Sequence, residues 1–307
     1  MRALITGCAG FIGSNLTDHL LDKGYEVVGI DCFNNYYSKE LKENNISNAL
    51  KNENFKFMEK DILEMKEYPD VDYVFHMAAQ AGVRFSWGKN FQIYTKNNIE
   101  ATQKLLEFYK DQNIQKFIYS SSSSVYGDCK LPMNEKSLLK PVSPYGVSKL
   151  AAEYLCHLYW ENYEVPTVSL RYFTVYGPRQ RPDMAINKFV KSVLNGDEIV
   201  IYGNGKQTRD FTYIEDVIRA IVASADSNLN GEVLNIAGGS RISINTLINE
   251  IELISGHNAN IRYSPNQKGD AKDTWADLNR TKKLLGWEPT INIHEGLRNY
   301  IKWYQQE

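Results

Sequence analysis

Ala3-Leu4-Ile5-Thr6-Gly7-Cys8-Ala9-Gly10-Phe11-Ile12-Gly13 sets four residues of strand character against three glycines spaced GxxGxxG. A helical pattern, Ile12 to Lys23, follows, and a second apolar run, Val27 to Ile30, leads into Asp31. Glycines between a strand and a helix let the backbone turn tightly and approach an anion, which the helix N-terminus then stabilises. An acidic side chain about 20 residues further on, at the end of the second strand, suits the hydroxyls of an adenosine ribose. Alone, Gly7, Gly10 and Gly13 suit a plain turn equally well. Their setting, closed by Asp31, points to a dinucleotide held by Gly7, Gly10, Phe11, Ile12, Gly13 and Asp31. No Arg follows Asp31 directly, and a carboxylate there repels a 2′-phosphate, so the expected cofactor is NAD rather than NADP.

Working outward, Phe55 to Met58, Tyr73 to Met77, Phe117 to Ser120 and Val168 to Tyr172 read as further strands, continuous and apolar rather than alternating. That suits strands covered on both faces. Helical patterns lie at Ile93 to Asn113 and Pro144 to Asn162. The alternation predicts an α/β fold: a Rossmann-type, doubly wound parallel sheet. Beyond Tyr172, Gly177-Pro178, Arg181-Pro182 and Gly203-Asn204-Gly205 crowd loop signals into a short span. Helices are expected at Ala185 to Asn195, Ile214 to Ala225, Ile244 to Ser255 and Ile293 to Tyr304. With no linker or repeat, the later part reads as a smaller C-terminal α/β domain packed on the sheet. The expected division is 1–173, with 208–240 returning to it, against 174–207 and 241–307.

The 307 residues are 43% apolar and 23% charged, with a net charge of −2. This near-neutral balance argues against nucleic acid as a partner, and no apolar run approaches the length of a membrane span. The chain enters a strand-like run at once, so no cleavable signal is expected. Cys8, Cys32, Cys129 and Cys156 are scattered without metal-binding or disulfide spacing. A cytoplasmic protein without a metal site is expected.

Tyr145-Gly146-Val147-Ser148-Lys149 places a phenol and an ammonium one helical turn apart. A Lys⁺ beside the Tyr, with a cationic nicotinamide nearby, favours the phenolate and makes a general base for a sugar hydroxyl. Tyr126/Lys130 and Tyr202/Lys206 share the spacing but fall across glycine-bearing turns. Only Tyr145 and Lys149 open a long helix after the fifth strand, whose carboxyl end carries Ser120 to Ser124. Asp61 and Ile62 follow the third strand, Ala78 and Ala79 the fourth, where an adenine and a ribose would lie. Plain packing accounts for the two alanines equally well.

These features together resemble the extended short-chain dehydrogenases/reductases of the nucleotide-sugar epimerase and dehydratase group. Asp31-Cys32-Phe33-Asn34-Asn35-Tyr36-Tyr37, His76-Met77-Ala78-Ala79-Gln80-Ala81-Gly82-Val83-Arg84, Ser121-Ser122-Ser123-Ser124-Val125-Tyr126-Gly127 and Arg171 to Ala185 are most similar to UDP-glucuronate 4-epimerases. The resemblance implies a tightly held NAD that is not consumed. It makes Tyr145 the base at the sugar O4, Lys149 the ligand of the nicotinamide ribose and Ser122 the catalytic hydroxyl. Asn35, Asn98, Tyr172 and Val175 become cofactor contacts. Thr174 becomes a contact to the sugar or its phosphates, Arg209 to the diphosphate and Asp270 to the uridine ribose of a UDP-sugar. Cys32 departs from the family, which often has Asn there. A homodimer is implied, through a four-helix contact made by Ile93–Asn113 and Pro144–Asn162, helices whose apolar faces suit packing on the sheet equally well. The 174–207 and 241–307 segments become the nucleotide-sugar-binding domain.

Particular side chains choose among the relatives. Dehydratases of the group carry an Asp-Glu pair before Val-Tyr-Gly and decarboxylases a Glu; here Ser123 and Ser124 offer no carboxyl. A buried uronate carboxylate needs a cation, best a forked guanidinium. Arg181 matches the arginine that meets it in glucuronate epimerases, with Arg84 a second candidate, and Gln267 stands where neutral-sugar epimerases tend to have Arg. The alternative for Arg181 is a loop salt bridge with Asp183. The favoured activity is 4-epimerisation of UDP-glucuronate; UDP-glucose or UDP-N-acetylglucosamine 4-epimerisation is the alternative. A cofactor-sensing regulator on the same fold is disfavoured, because Tyr145, Lys149 and the serine are all present.

Overall fold

The computed structural model describes residues 1–265 and 271–306. Its centre is a seven-stranded sheet in the order β3-β2-β1-β4-β5-β6-β10, every neighbouring pair parallel. The strands are β1 Arg2–Thr6, β2 Glu26–Asp31, β3 Phe55–Glu59, β4 Tyr73–His76, β5 Lys116–Ser122, β6 Thr167–Tyr172 and β10 Glu232–Ile236. Pleating sends Ala3 and Ile5 of β1 into one core and Leu4 into the other. The first core is covered by α1 (Phe11–Asp22) and α7 (Ile214–Ala225), the second by α4 (Ala101–Tyr109) and α5 (Pro144–Tyr163).

Two small sheets complete the described fold. β9 (Thr208–Tyr213) lies between β7 (Thr174–Tyr176) and β11 (Arg241–Ser243), and β8 (Glu198–Tyr202) pairs with β12 (Asn260–Ser264). Within 208–240, therefore, only β10 joins the large sheet, and β9 pairs elsewhere. α6 (Ala185–Asn195), α8 (Ile244–Ser255) and α10 (Ile293–Tyr304) form as their periodicity predicts. Their apolar faces extend the core that underlies α1 and α7, through Val190, Leu247 and Leu297. The short helices α2 (Lys39–Ile46) and α9 (Asn279–Leu285) have no counterpart in the sequence reading.

Two expectations change. β3 has only half-buried and exposed residues because it is an edge strand, not one covered on both faces. The helix expected over 93–113 begins at α3 (Phe91–Tyr94), passes through a π turn over Thr95–Glu100 and ends with α4. Within the π turn, Asn98 accepts from the Gln80 N–H at 2.7 Å and donates to the Gln80 carbonyl at 3.1 Å and the Ser148 hydroxyl at 2.9 Å. A widened turn supplies the room for that side chain to face the loop after β4.

α5 starts where the Ser143 hydroxyl accepts from the Gly146 N–H at 3.1 Å and Pro144 occupies the first turn. Two turns later Glu153 meets Arg171 of β6. Arg171 donates Nε at 3.0 Å and Nη2 at 2.5 Å to the carboxylate, and Nη1 to the Tyr126 hydroxyl at 2.9 Å. Ser121 donates to the same carboxylate at 2.7 Å. Both charged side chains are buried, at 4% and 3% exposure, and Glu153 overcomes burial to hold Arg171 charged. Glu153→Gln leaves that guanidinium unpaired and should cost about 3–5 kcal/mol. A denaturant midpoint within experimental error of the parent would show that the pair contributes nothing.

Candidate active site

A cleft of about 1010 Å³ opens at the carboxyl ends of β1, β2, β4, β5 and β6. At its floor, Gly7 has a φ of +69°, and a Cβ there would come within 2.8 Å of the Ala78 backbone. A Cβ on Gly13 would stand 2.1 Å from the Gly7 carbonyl oxygen. The glycines thus keep open a cradle between the turn, the start of α1 and the loop after β4. Asp31 closes one side: its carboxylate accepts from the Ala9 N–H at 3.2 Å and the Phe33 N–H at 2.9 Å. Burial raises its pKa, against the pull of those N–H groups and of Lys42. A cradle of backbone N–H groups beside a helix N-terminus, with a carboxylate at its far end, fits a dinucleotide. Gly10, Phe11, Ile12, Asp61, Ile62, Ala78, Ala79, Tyr172 and Val175 line the same cleft. The side chain of Asp61 also caps the turn that follows it, accepting from the Leu63 N–H at 2.8 Å.

Two predicted cofactor contacts fall elsewhere. Asn34 and Asn97 line the cleft, whereas Asn35 and Asn98 do not. Asn98 is spent on Gln80 and Ser148, as described above. Behind it lies a buried chain: Thr6 to His76 Nδ1 at 2.7 Å, His76 Nε2 to Thr102 at 2.9 Å, and Thr102 to the Asn98 carbonyl at 2.6 Å. Since Thr102 gives its proton to that carbonyl, His76 donates from Nε2 and accepts at Nδ1. Burial and the nearby Lys149 charge hold His76 down to about 3.

Tyr145 and Lys149 stand one turn apart at the head of α5, with Ser122 at the end of β5, all on the cleft. The expected electrostatics change. Burial raises the Tyr145 pKa, and what opposes it is the Ser122 hydroxyl and the Arg181 guanidinium, not Lys149. Lys149 is 2% exposed, its Nζ lies 4.6 Å over the Tyr119 ring, and burial pulls it down to about 7. The other two Tyr/Lys spacings build no such site. Tyr126 is wholly buried and bonded to Asn235 and Arg171, and Tyr202 lies beneath the Arg84 guanidinium at 4.6 Å.

Across the cleft stand Thr174, Arg84, Arg181 and Arg209. Arg209 donates to the carbonyls of Thr208 and Lys272, each at 2.9 Å, and of Ala271 at 2.7 Å. Arg181 makes the salt bridge to Asp183 that the sequence allowed, and it does so inside the cleft. Gln267 and Asp270 lie outside the described residues. Lys42, Tyr37 and Asp183 also line the cleft and were not singled out for it. Lys42 is held by the Asn34 carbonyl and, at 2.8 Å, its side-chain oxygen, while the buried Tyr37 hydroxyl has no hydrogen-bond partner. A Lys at the fourth position of a short polar helix carries no pattern of its own. Among the described residues no cluster of His, Cys, Asp or Glu is placed to hold a metal ion, and no helix is long and apolar enough to cross a membrane.

Residues 4–300 match the family described as GDP-mannose 4,6 dehydratase. The chain is 43% identical to an uncharacterised UDP-glucose epimerase, YtcB, of Bacillus subtilis, across 99% of this chain and 98% of that protein. It is 41% identical to a UDP-glucuronate 4-epimerase of Thermodesulfobacterium geofontis, across 99% and 96%. A crystal structure of UDP-glucuronic acid 4-epimerase from Bacillus cereus, in complex with UDP-glucuronic acid and NAD, superposes with a TM-score of 0.96. The identity there is 46%, covering 100% of this chain and 99% of that one.

The depressed Lys149 has a signed consequence for stability. Above its ordinary value of 10.5, Lys149 is neutral folded or unfolded. As the pH falls from there to about 7, the unfolded chain takes up the proton first and stability declines; below about 7 the loss is complete. Lys149→Met should remove that slope. Denaturant midpoints for both proteins across this window check it, and parallel curves would contradict it.

Proposed function

Because the chain belongs to the GDP-mannose 4,6 dehydratase family, within the extended short-chain dehydrogenases/reductases, we propose that this site carries out NAD-dependent 4-epimerisation of a UDP-hexose, UDP-glucuronate to UDP-galacturonate. The observation that carries the sugar assignment is Arg181: a guanidinium whose charge reaches the Tyr145 phenol, in a cleft where Ser123 and Ser124 supply no carboxyl. Tyr145 takes the proton from O4 and returns it, and Ser122 bridges the phenol and the sugar hydroxyl. NAD supplies a reversible hydride acceptor at C4. Lys149 binds the nicotinamide ribose; with its own charge marginal, the phenol depends on Ser122 and Arg181. Gly7, Gly13 and Asp31 hold the dinucleotide, while Thr174 and Arg209 meet the sugar and its diphosphate. Arg209 is held by the 271–272 backbone, so it reaches the diphosphate from a fixed position. The cofactor side is assigned to 1–173 with β10, the nucleotide-sugar side to the rest.

The functional unit is a homodimer in the cytoplasm. In support, α5 exposes Val147, Tyr154 and Leu158 at 47%, 54% and 52%, spaced along one face, and α3, which packs against α5, exposes Ile93. All four cysteines are free, as a reducing compartment allows. Leu158→Glu should convert the dimer to a monomer in sedimentation velocity; a monomeric parent protein would refute the assembly.

Purified protein incubated with UDP-glucuronate and no added NAD should yield UDP-galacturonate by NMR. Tyr145→Phe should cut turnover by about 10³-fold or more with bound NAD retained. Conversion of UDP-glucose or UDP-N-acetylglucosamine alone would replace the uronate reading. A pentose product would show that decarboxylation proceeds without the missing carboxyl.

A further inference from the structure

The guanidinium at the reacting end of the cleft already holds a carboxylate. Arg181 donates Nε to Asp183 at 2.9 Å and Nη2 to its second oxygen at 3.1 Å, a two-pronged pair. The Tyr36 hydroxyl donates to that second oxygen at 3.2 Å. Both partners keep some exposure, 21% for Arg181 and 36% for Asp183, and both line the cleft with Tyr145 and Ser122. Burial works against the charge on Asp183, but Arg181 outweighs it and holds the carboxyl below its usual range. A standing anion therefore occupies the Nε–Nη2 edge of the fork that a uronate would need.

We propose that Asp183 is a positioning residue acting through Arg181: it shares the guanidinium with the C5 carboxylate of a uronate and keeps that carboxylate releasable. The inference rests on the uronate reading above. A second carboxylate can approach Arg181 only from the Nη1 side, where it meets the like charge of Asp183. Epimerisation requires the hexose to present first one face of C4 and then the other to the same groups, so the carboxylate on C5 must leave its first position. An undivided arginine would hold it there by a charge-assisted pair that strengthens ground-state binding without lowering the barrier. With Asp183 in place, release becomes an exchange, and Arg181 is never left unpaired. A neutral hexose has no carboxylate to exchange.

Calorimetry in a Tyr145→Phe background separates binding from turnover. There, adding Asp183→Asn should tighten UDP-glucuronate on the order of tenfold and leave UDP-glucose within about twofold. In turnover by otherwise native protein, Asp183→Asn should lower both KM and kcat for UDP-glucuronate, and Asp183→Glu should restore them. Tyr36→Phe removes the hydrogen bond but no charge, so its effects should fall equally on the two sugars. Arg181→Ala should abolish the difference between the sugars, with or without Asp183→Asn. Weaker UDP-glucuronate binding in Asp183→Asn, or equal changes for both sugars, would make Asp183 a plain brace and overturn the proposal. If the native protein neither binds nor converts UDP-glucuronate, this inference falls together with the uronate reading. If it does both and Asp183→Asn changes nothing, the inference alone falls.

Discussion

The ion pair of Glu153 and Arg171 is the constraint on which the reactive geometry rests. Two charges at 4% and 3% exposure are stable only with near-complete hydrogen bonding, and here Ser121, Tyr126 and the Glu135 carbonyl supply it. Glu153 is one turn beyond Lys149 and two beyond Tyr145 on the same face of α5. Ser121 precedes Ser122 on β5. One buried contact therefore sets the helix bearing the phenol and the ammonium against the strand bearing the hydroxyl. Tyr126 carries the same network on to Asn235 of β10, at 2.7 Å, and so to the edge of the sheet.

Three cations of the cleft, Lys149, Arg181 and Arg209, share a second theme. Lys149 is desolvated, Arg181 is paired with Asp183, and Arg209 is held by backbone carbonyls. None of them stands as a bare charge facing solvent. A substrate that is itself a polyanion then meets donors whose directions are already fixed, which reduces the ordering left to pay on binding. It also means that affinity for charge is set by how each cation is divided between protein and ligand.

The sequence made the main framework legible because each part carried a physical signature. Buried parallel strands are short apolar runs, the cradle needs glycine, and α6, α7, α8 and α10 are amphipathic over three turns or more. What escaped lacks such a signature. β7 and β11 have three residues each, too few to show a period, and α2, with Lys39, Glu40, Lys42 and Glu43, has hardly any apolar face. At the site, the residue types were legible but their commitments were not. Nothing in the spacing of Tyr145 and Lys149 says that the lysine is desolvated over the Tyr119 ring. Nothing in the 91–109 pattern says that the Asn98 side chain is committed to Gln80 and Ser148.

The π turn over Thr95–Glu100 divides its helix into two segments that are out of phase. An α-helix advances about 100° per residue, so roughly one surplus residue in a single wide turn rotates everything downstream by about that angle. Phe91 to Tyr94 and Ala101 to Tyr109 therefore cannot be drawn on one helical wheel. The one buried residue of α3, Tyr94, and those after the turn, Leu105, Leu106 and Tyr109, point along different bearings from a common axis. The first bearing aims Tyr94 at the carbonyls of Ala81 and Gly82 and at the edge of the Tyr145 ring; the second aims at the sheet. The helix works as a dogleg in angle rather than in direction, one rod serving two walls of the molecule.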